Sequence, residues 1–269
     1  APATSMSIRL NTTKQRLTHV VETAVGSTTV SASPQYPRLN ATLVALYITE
    51  RPYALFNVSV AGPHRYLVAG RLVGGNSTVA LKVDVGECAR EATLDLGFTT
   101  FRLELPTPSI SIEVWNALYL RPLGLALRVE LAPHVYINRT VTVYVNSTPL
   151  TLRVTSGGAY TLMFEPKAPG AYAVSASLWC KSANATAYSV VVKGVRLSVD
   201  KAFAFVGEPI RLELSAEWWP PQAPPPPVNV TLSGCESQRL TVTPGTLELK
   251  YGKQCVLTAT ASVANATAT

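Results

Sequence analysis

Asparagine is almost missing from this chain except in one tripeptide context. Ten asparagines occur in 269 residues, and only Asn116 lies outside the triplet Asn-x-Ser/Thr. Aspartate is just as scarce, limited to Asp84, Asp95 and Asp200, which argues against the acidic calcium loops of many surface β-repeats. Charged residues make up 14% of the chain, well below the usual share. The net charge of +7 is spread thinly, without a basic run or a basic helix with interleaved aromatics, so no nucleic-acid partner is expected. No apolar run is long enough to cross a bilayer as a helix, so no transmembrane segment is expected. His19, His64 and His134 are isolated and share no ligand spacing, and there is no C-x-x-C. Gly-x-Ser-x-Gly and phosphate-cradling glycine loops are absent too. The sequence therefore predicts neither an enzyme nor a metal or cofactor site.

What is present points outward. Asn11, Asn40, Asn57, Asn76, Asn138, Asn146, Asn184, Asn229 and Asn265 each open an Asn-x-Ser/Thr triplet, the acceptor for N-linked glycan. Ser and Thr make up under a fifth of the chain, so about two such triplets are expected by chance. Glycosylation requires export, and an extracellular, cell-surface location is expected. The start, Ala1-Pro-Ala-Thr-Ser, reads as a mature end left after removal of a signal peptide. Four cysteines in an exported chain predict two disulfides, and they permit three pairings. Cys235–Cys255 and Cys88–Cys180 are the expected pair of bridges. Two Met, five Gln and twenty Pro fit a protein of a hot environment, where thermolabile residues are shed.

Apolar and polar residues alternate throughout, and no 3.6-residue stripe stands out. Val141-Thr-Val-Tyr-Val-Asn146, Val228-Asn-Val-Thr-Leu232 and Phe56-Asn-Val-Ser-Val60 each put the apolar side chains on one face and the triplet asparagine on the other. The expected class is all-β, built from tandem Ig-like sandwiches. Gly124-Leu-Ala-Leu-Arg-Val-Glu-Leu131 matches Gly207-Glu-Pro-Ile-Arg-Leu-Glu-Leu214, and Ala183-Asn-Ala-Thr-Ala187 matches Ala264-Asn-Ala-Thr-Ala268, 83 and 81 residues apart. These matches predict two copies of one unit, 107–195 and 196–269. Before them come a first β-domain, 14–106, and an N-terminal segment, 1–13.

The two copies end differently. After Ala187 comes the apolar run Tyr188-Ser-Val-Val-Val-Lys193, whereas the sequence stops at Thr269 directly after the matching pentapeptide. The last domain is therefore expected to lack its final strand, which would leave an apolar groove with unpaired backbone groups. Thr4-Ser-Met-Ser-Ile-Arg-Leu-Asn11 alternates cleanly, with Met6, Ile8 and Leu10 on one face. Inserted into a neighbour's last domain, it would complete that sandwich as a donor strand and give a head-to-tail homopolymer. Pairing within its own domain and disorder are the alternatives for this segment, and a processed or truncated chain that naturally continues into a stalk or anchor is the alternative for the absent strand. The insertion Trp218-Trp-Pro-Pro-Gln-Ala-Pro-Pro-Pro-Pro227 reads as an interface, a stiff structural loop or a glycan contact.

With these triplets, tandem Ig-like units, absent last strand and alternating N-terminus, the chain resembles the glycosylated thread-type filament subunits of hyperthermophilic archaea. The resemblance implies a cell-surface filament, or pilus, assembled by donor-strand complementation, coated in N-glycans and serving adhesion, cell contact or biofilm. The alternative expectation is a monomeric surface or S-layer ectodomain that binds a ligand through the Trp-Pro loop.

Overall fold

A computed structural model describes residues 17–23, 26–32, 37–96, 99–263 and 266–268, and every described element is a strand. The chain divides into two compact units, Ala1–Thr107 with Ala132–Tyr136, and Pro108–Leu131 with Ile137–Thr269. Unit 1 contains β1 (Leu17–Thr23), β2 (Gly26–Ala32), β3 (Arg38–Ile48), β4 (Tyr53–Ala61), β5 (Tyr66–Val68), β6 (Arg71–Val73), β7 (Ser77–Asp84), β8 (Glu91–Asp95) and β9 (Thr100–Glu104). Then follow β10 (Ser109–Trp115), β11 (Ala117–Leu118), β12 (Leu123–Glu130), β13 (Val135–Ile137), β14 (Arg139–Val145), β15 (Thr148–Val154), β16 (Gly158–Phe164), β17 (Gly170–Leu178) and β18 (Lys181–Val199). The last are β19 (Pro209–Trp219), β20 (Val228–Ser233), β21 (Gln238–Val242), β22 (Gly245–Lys250), β23 (Thr258–Val263) and β24 (Ala266–Ala268).

In unit 1 the main sheet has the order β13-β3-β4-β7, and β1–β2, β5–β6 and β8–β9 are separate antiparallel hairpins. Alternation does what the sequence requires. Phe56, Val58 and Val60 are buried while Asn57 and Ser59 stay exposed, so one face of β4 builds the core and the other meets solvent. On the outward face Tyr136, Tyr47 and Tyr53 stack in succession across three strands, with centroids 5.1 and 4.7 Å apart, and the Lys82 ammonium caps Tyr53.

Unit 2 holds two sandwiches of one topology. In the first, β10-β12-β16 faces β15-β14-β17-β18, and β11 runs parallel to β18. In the second, β18-β19-β22 faces β21-β20-β23-β24. These are the two layers of an Ig-like fold, made twice. β18 is shared: its first half closes one sandwich and its second half opens the next, with an irregularity between Val192 and Gly194. The boundary expected between 195 and 196 falls inside this 19-residue strand.

The repeat needs a correction in register. Val129 pairs with Gly158 at the end of the β12–β16 ladder, and Leu214 pairs with Gly245 at the matching end of β19–β22. Leu178 pairs with Lys181 across one hairpin, and Val263 with Ala266 across its counterpart. Val129 and Leu214, and both residues of the second marker, place the copies 85 residues apart (Gly158 and Gly245 are 87 apart), so the two sequence matches are slipped by two and four residues. Both slips are even, so they preserve the inward and outward alternation that makes the matches visible.

The final strand is also corrected. A strand is there: the described residues of β24 run antiparallel to Ala261–Val263 of β23.

A candidate strand-accepting groove

In the first sandwich of unit 2, β18 covers the edge of β17 along its whole length, from Gly170 to Leu178. In the second, β23 is paired with β20 on one side from Thr258 to Ser262, and with β24 on the other only from Ala261 to Val263. Thr258, Ala259 and Thr260 therefore present an edge to which no described strand is bonded. Between this edge and the second half of β18 lies a groove of about 600 Å³, lined by Leu197, Val199, Leu212, Leu257, Ala259 and residues of two loops. A smaller cavity of about 230 Å³ between the two layers shares Leu197 and Leu212 with it.

The loop between β18 and β19 forms one rim. Phe203 and Phe205 stand 93% and 87% exposed on it, and Val206 is also exposed. Two phenyl rings left in water are held there by a compact polar staple. Lys201 pairs with Glu208. Phe205 donates its amide to Glu208 Oε2 at 2.9 Å, Glu208 returns its amide to the Phe205 carbonyl at 2.9 Å, and Gly207 donates to the Tyr251 carbonyl at 2.8 Å. At the loop's base, Arg211 donates its amide to Asp200 Oδ1 at 2.9 Å. The Lys201 hydrogen bond, helped by the Phe205 amide, holds the Glu208 carboxyl below the usual carboxylate range. Burial pushes the Tyr251 phenol up, and the charge of Glu236 adds to the shift.

The opposite rim is the segment before β23. Cys235 and Cys255 form a disulfide with Cα atoms 5.1 Å apart, as expected, and both line the groove. Gly234, at φ +96°, lets the Val256 carbonyl approach to where a side chain would begin: a Cβ there would sit 1.9 Å from that oxygen. With its backbone fixed this way, Val256 projects outward, 80% exposed. Cys88 and Cys180 are also disulfide-bonded.

Met6, Ile8 and Leu10 lie outside the described residues, as do Asn11 and Asn265. The other triplet asparagines, Asn40, Asn57, Asn76, Asn138, Asn146, Asn184 and Asn229, are not buried. Where their side chains bond, the oxygen accepts. Arg153 Nε donates to Asn138 Oδ1 at 2.9 Å, the Ala173 amide to Asn146 Oδ1 at 2.9 Å, and Thr241 Oγ1 to Asn229 Oδ1 at 3.0 Å. In these three the oxygen is used, which leaves the amide nitrogen, the atom an N-glycan takes, turned away from the bond. Asn116, the one asparagine outside the pattern, serves the fold instead. Its Oδ1 accepts the Tyr188 amide at 2.8 Å and fastens β11 beside β18.

Trp218 and Trp219 are not in the groove lining. Trp218 Nε1 donates to the Ala223 carbonyl at 3.0 Å, closing its own loop, and Trp219 lies over Gly170. Among the described residues no group of three or more His, Cys, Asp or Glu is gathered as a metal would need. Sequence reasoning missed the rim phenylalanines and the corner of the first sandwich, where Tyr172 Oη donates to the Ala168 carbonyl at 2.7 Å. A tyrosine two residues into a strand after Pro-Gly was the available signal.

No family model and no curated protein matches this chain. Solved structures similar to it include the BSP domain of a biofilm-associated protein, at 14% identity and TM-score 0.27, covering 81% of this chain and 40% of that one. Others are the FN1–FN3 domains of chicken CNTN1, at 11% identity and TM-score 0.36 over 87% and 95% of the two chains, and three N-terminal domains of the bacteriophage RB49 outer capsid protein Hoc, at 12% and 0.32 over 86% and 94%. Likeness at this level says nothing of function.

Proposed function

We propose that this chain is the subunit of an extracellular, N-glycosylated filament, in which residues 4–11 of one copy occupy the groove beside β23 of the next. The observation that carries the reading is a groove with Leu197, Val199, Leu212, Leu257 and Ala259 in its wall, alongside three edge residues of β23 with no described strand partner. A donor with Met6, Ile8 and Leu10 on one face supplies both missing parts: side chains for the groove and backbone groups for the edge. Burying three such side chains contributes about 1.5 to 3 kcal/mol each, which makes dissociation very slow. Donor and acceptor are different surfaces, so the contact repeats head to tail and yields an open polymer. Solvent-facing triplet asparagines and oxidised cysteines support an external, sugar-coated location, with roles in adhesion or cell contact.

The test separates trans from cis pairing. Chains carrying Ile8→Cys and chains carrying Ala259→Cys, distinguishable by isotope, are unfolded together, refolded and oxidised. Disulfide-linked heterodimers are expected. Bridges formed only inside a chain carrying both substitutions would mean that the segment closes its own subunit, and the surface-ectodomain alternative would then stand.

A further inference from the structure

The outward face of the main sheet in unit 1 carries three stacked tyrosines, and among the described residues no other two tyrosine rings are stacked. Tyr53 stands directly opposite Tyr47 on the β3–β4 ladder, and Tyr136 lies on the short edge strand β13 beside β3. The centroids are 4.7 Å apart for Tyr47 and Tyr53 and 5.1 Å for Tyr47 and Tyr136, with ring planes 16° and 17° from parallel. At this spacing the rings are offset, and the edge carbons of neighbours lie in or near van der Waals contact. Tyr136 is 54% exposed and the other two are half-buried, so a small oxidant reaches all three from solvent. Among the described residues no cysteine is free, so such an oxidant meets no thiol at the surface.

We propose that Tyr47 and Tyr136 are a site of oxidative coupling, where an external one-electron oxidant driven by peroxide joins the two rings as a dityrosine that fastens β13 to β3. Each phenol gives one electron to the oxidant and its hydroxyl proton to water. The two phenoxyl radicals form one carbon–carbon bond ortho to their oxygens, and the ring hydrogens at those carbons move to the oxygens. The chain loses two hydrogens in all, and one peroxide, reduced to two waters, accepts both electrons and both protons. Rings already held together couple far faster than tyrosines that must first meet by diffusion. The Lys82 ammonium decides which pair couples. It sits 4.2 Å from the centroid of Tyr53, where it opposes the positive charge left by loss of an electron. Asp84, 3.9 Å from the same ammonium and well exposed, offsets it only in part. The charge therefore settles on Tyr47 and Tyr136, away from Lys82. A link between positions 47 and 136 closes a long loop and so restrains the unfolded chain.

The inference does not depend on strand exchange, and its test uses the full glycosylated chain carrying Ile8→Asp, which removes head-to-tail docking. The dilute chain is treated with a small haem peptide and hydrogen peroxide. Products are read by dityrosine fluorescence and by peptide mass spectrometry after glycan removal. The expected product is a single chain lighter by two hydrogens and linked between Tyr47 and Tyr136. Tyr47→Phe keeps a ring in the stack but removes the central phenol, and should lower coupling within the chain by about tenfold or more. Tyr144→Phe, at an exposed tyrosine outside the stack, should leave the yield unchanged. Lys82→Gln should move the link toward Tyr47–Tyr53 until the two pairs form in comparable yield. No coupling within a chain, or coupling that persists in Tyr47→Phe, overturns the proposal. An unchanged partition in Lys82→Gln overturns the role given to Lys82.

Discussion

Replacing Phe203 and Phe205 together by alanine should separate assembly from folding. Both rings are almost wholly exposed in the free subunit, at 93% and 87%, so their removal takes little from the core. Substitutions at such positions change stability by about 0.5 kcal/mol or less. If a neighbour's strand lies in the groove, the same rings become its rim and lose water. Full burial of a phenyl contributes about 1.5 to 3 kcal/mol; at roughly half burial the two together give about 1.5 to 3 kcal/mol. At about 1.4 kcal/mol per tenfold, filaments should then dissociate roughly ten to a hundred times faster. Thermal unfolding of the subunit carrying Ile8→Asp measures the first quantity, and loss of filament light scattering after dilution measures the second. Unchanged melting with unchanged filament lifetime would show that the rings remain in water after assembly and that the strand docks elsewhere. A large drop in melting temperature would show instead that the loop packs on its own core.

Acid should loosen the loop that carries these rings. The Glu208 carboxyl is depressed by Lys201, so its contribution is present above the ordinary carboxylate range and is lost as pH falls through the lower folded-state value. Hydrogen exchange of the Phe205 and Gly207 amides should accelerate below that point, and Glu208→Gln should show the fast rate already at neutral pH. Asn116→Ala should leave the glycan mass unchanged and cost about 1 kcal/mol by orphaning the Tyr188 amide. A mass change in that variant, or unchanged denaturant midpoint, would refute the division of labour between Asn116 and the triplet asparagines.

The strands are legible in the sequence because each has one wet and one dry face. Phe56-Asn-Val-Ser-Val60 announces both its strand and its orientation, and the structure buries the three apolar residues while Asn57 stays out. The junction between the sandwiches is not legible. Lys193-Gly194 reads as a break, yet a glycine inside a strand can mark a bulge as well as an end, and here β18 continues through an irregular register between Val192 and Gly194. The repeat is visible only at the wrong register for a related reason. Period-two patterning carries the face of a residue but not its ladder position, so slips of two and four residues go unnoticed.

The expectation of an absent closing strand rests on a match that the structure moves. Ala183–Ala187 lies well inside β18, whereas its sequence counterpart begins between the paired residues Val263 and Ala266, at the very start of β24. The groove is independent of that match, since it depends on how much of β23 the described residues of β24 cover, not on which residues match. Among the described residues β24 bonds three positions of β23, against nine of β17 bonded by β18, and the remaining three present an edge of the kind proteins guard with charge, proline or a bulge. Thr258, Ala259 and Thr260 carry none of these, and the neighbouring rim presents two exposed phenyl rings beside the Lys201–Glu208 pair. The staple holding those rings outward, the disulfide and the Gly234 close approach all fix the groove's walls without filling it. On the proposed reading, these fixed walls beside an edge with no described partner are what a neighbour's strand would dock against.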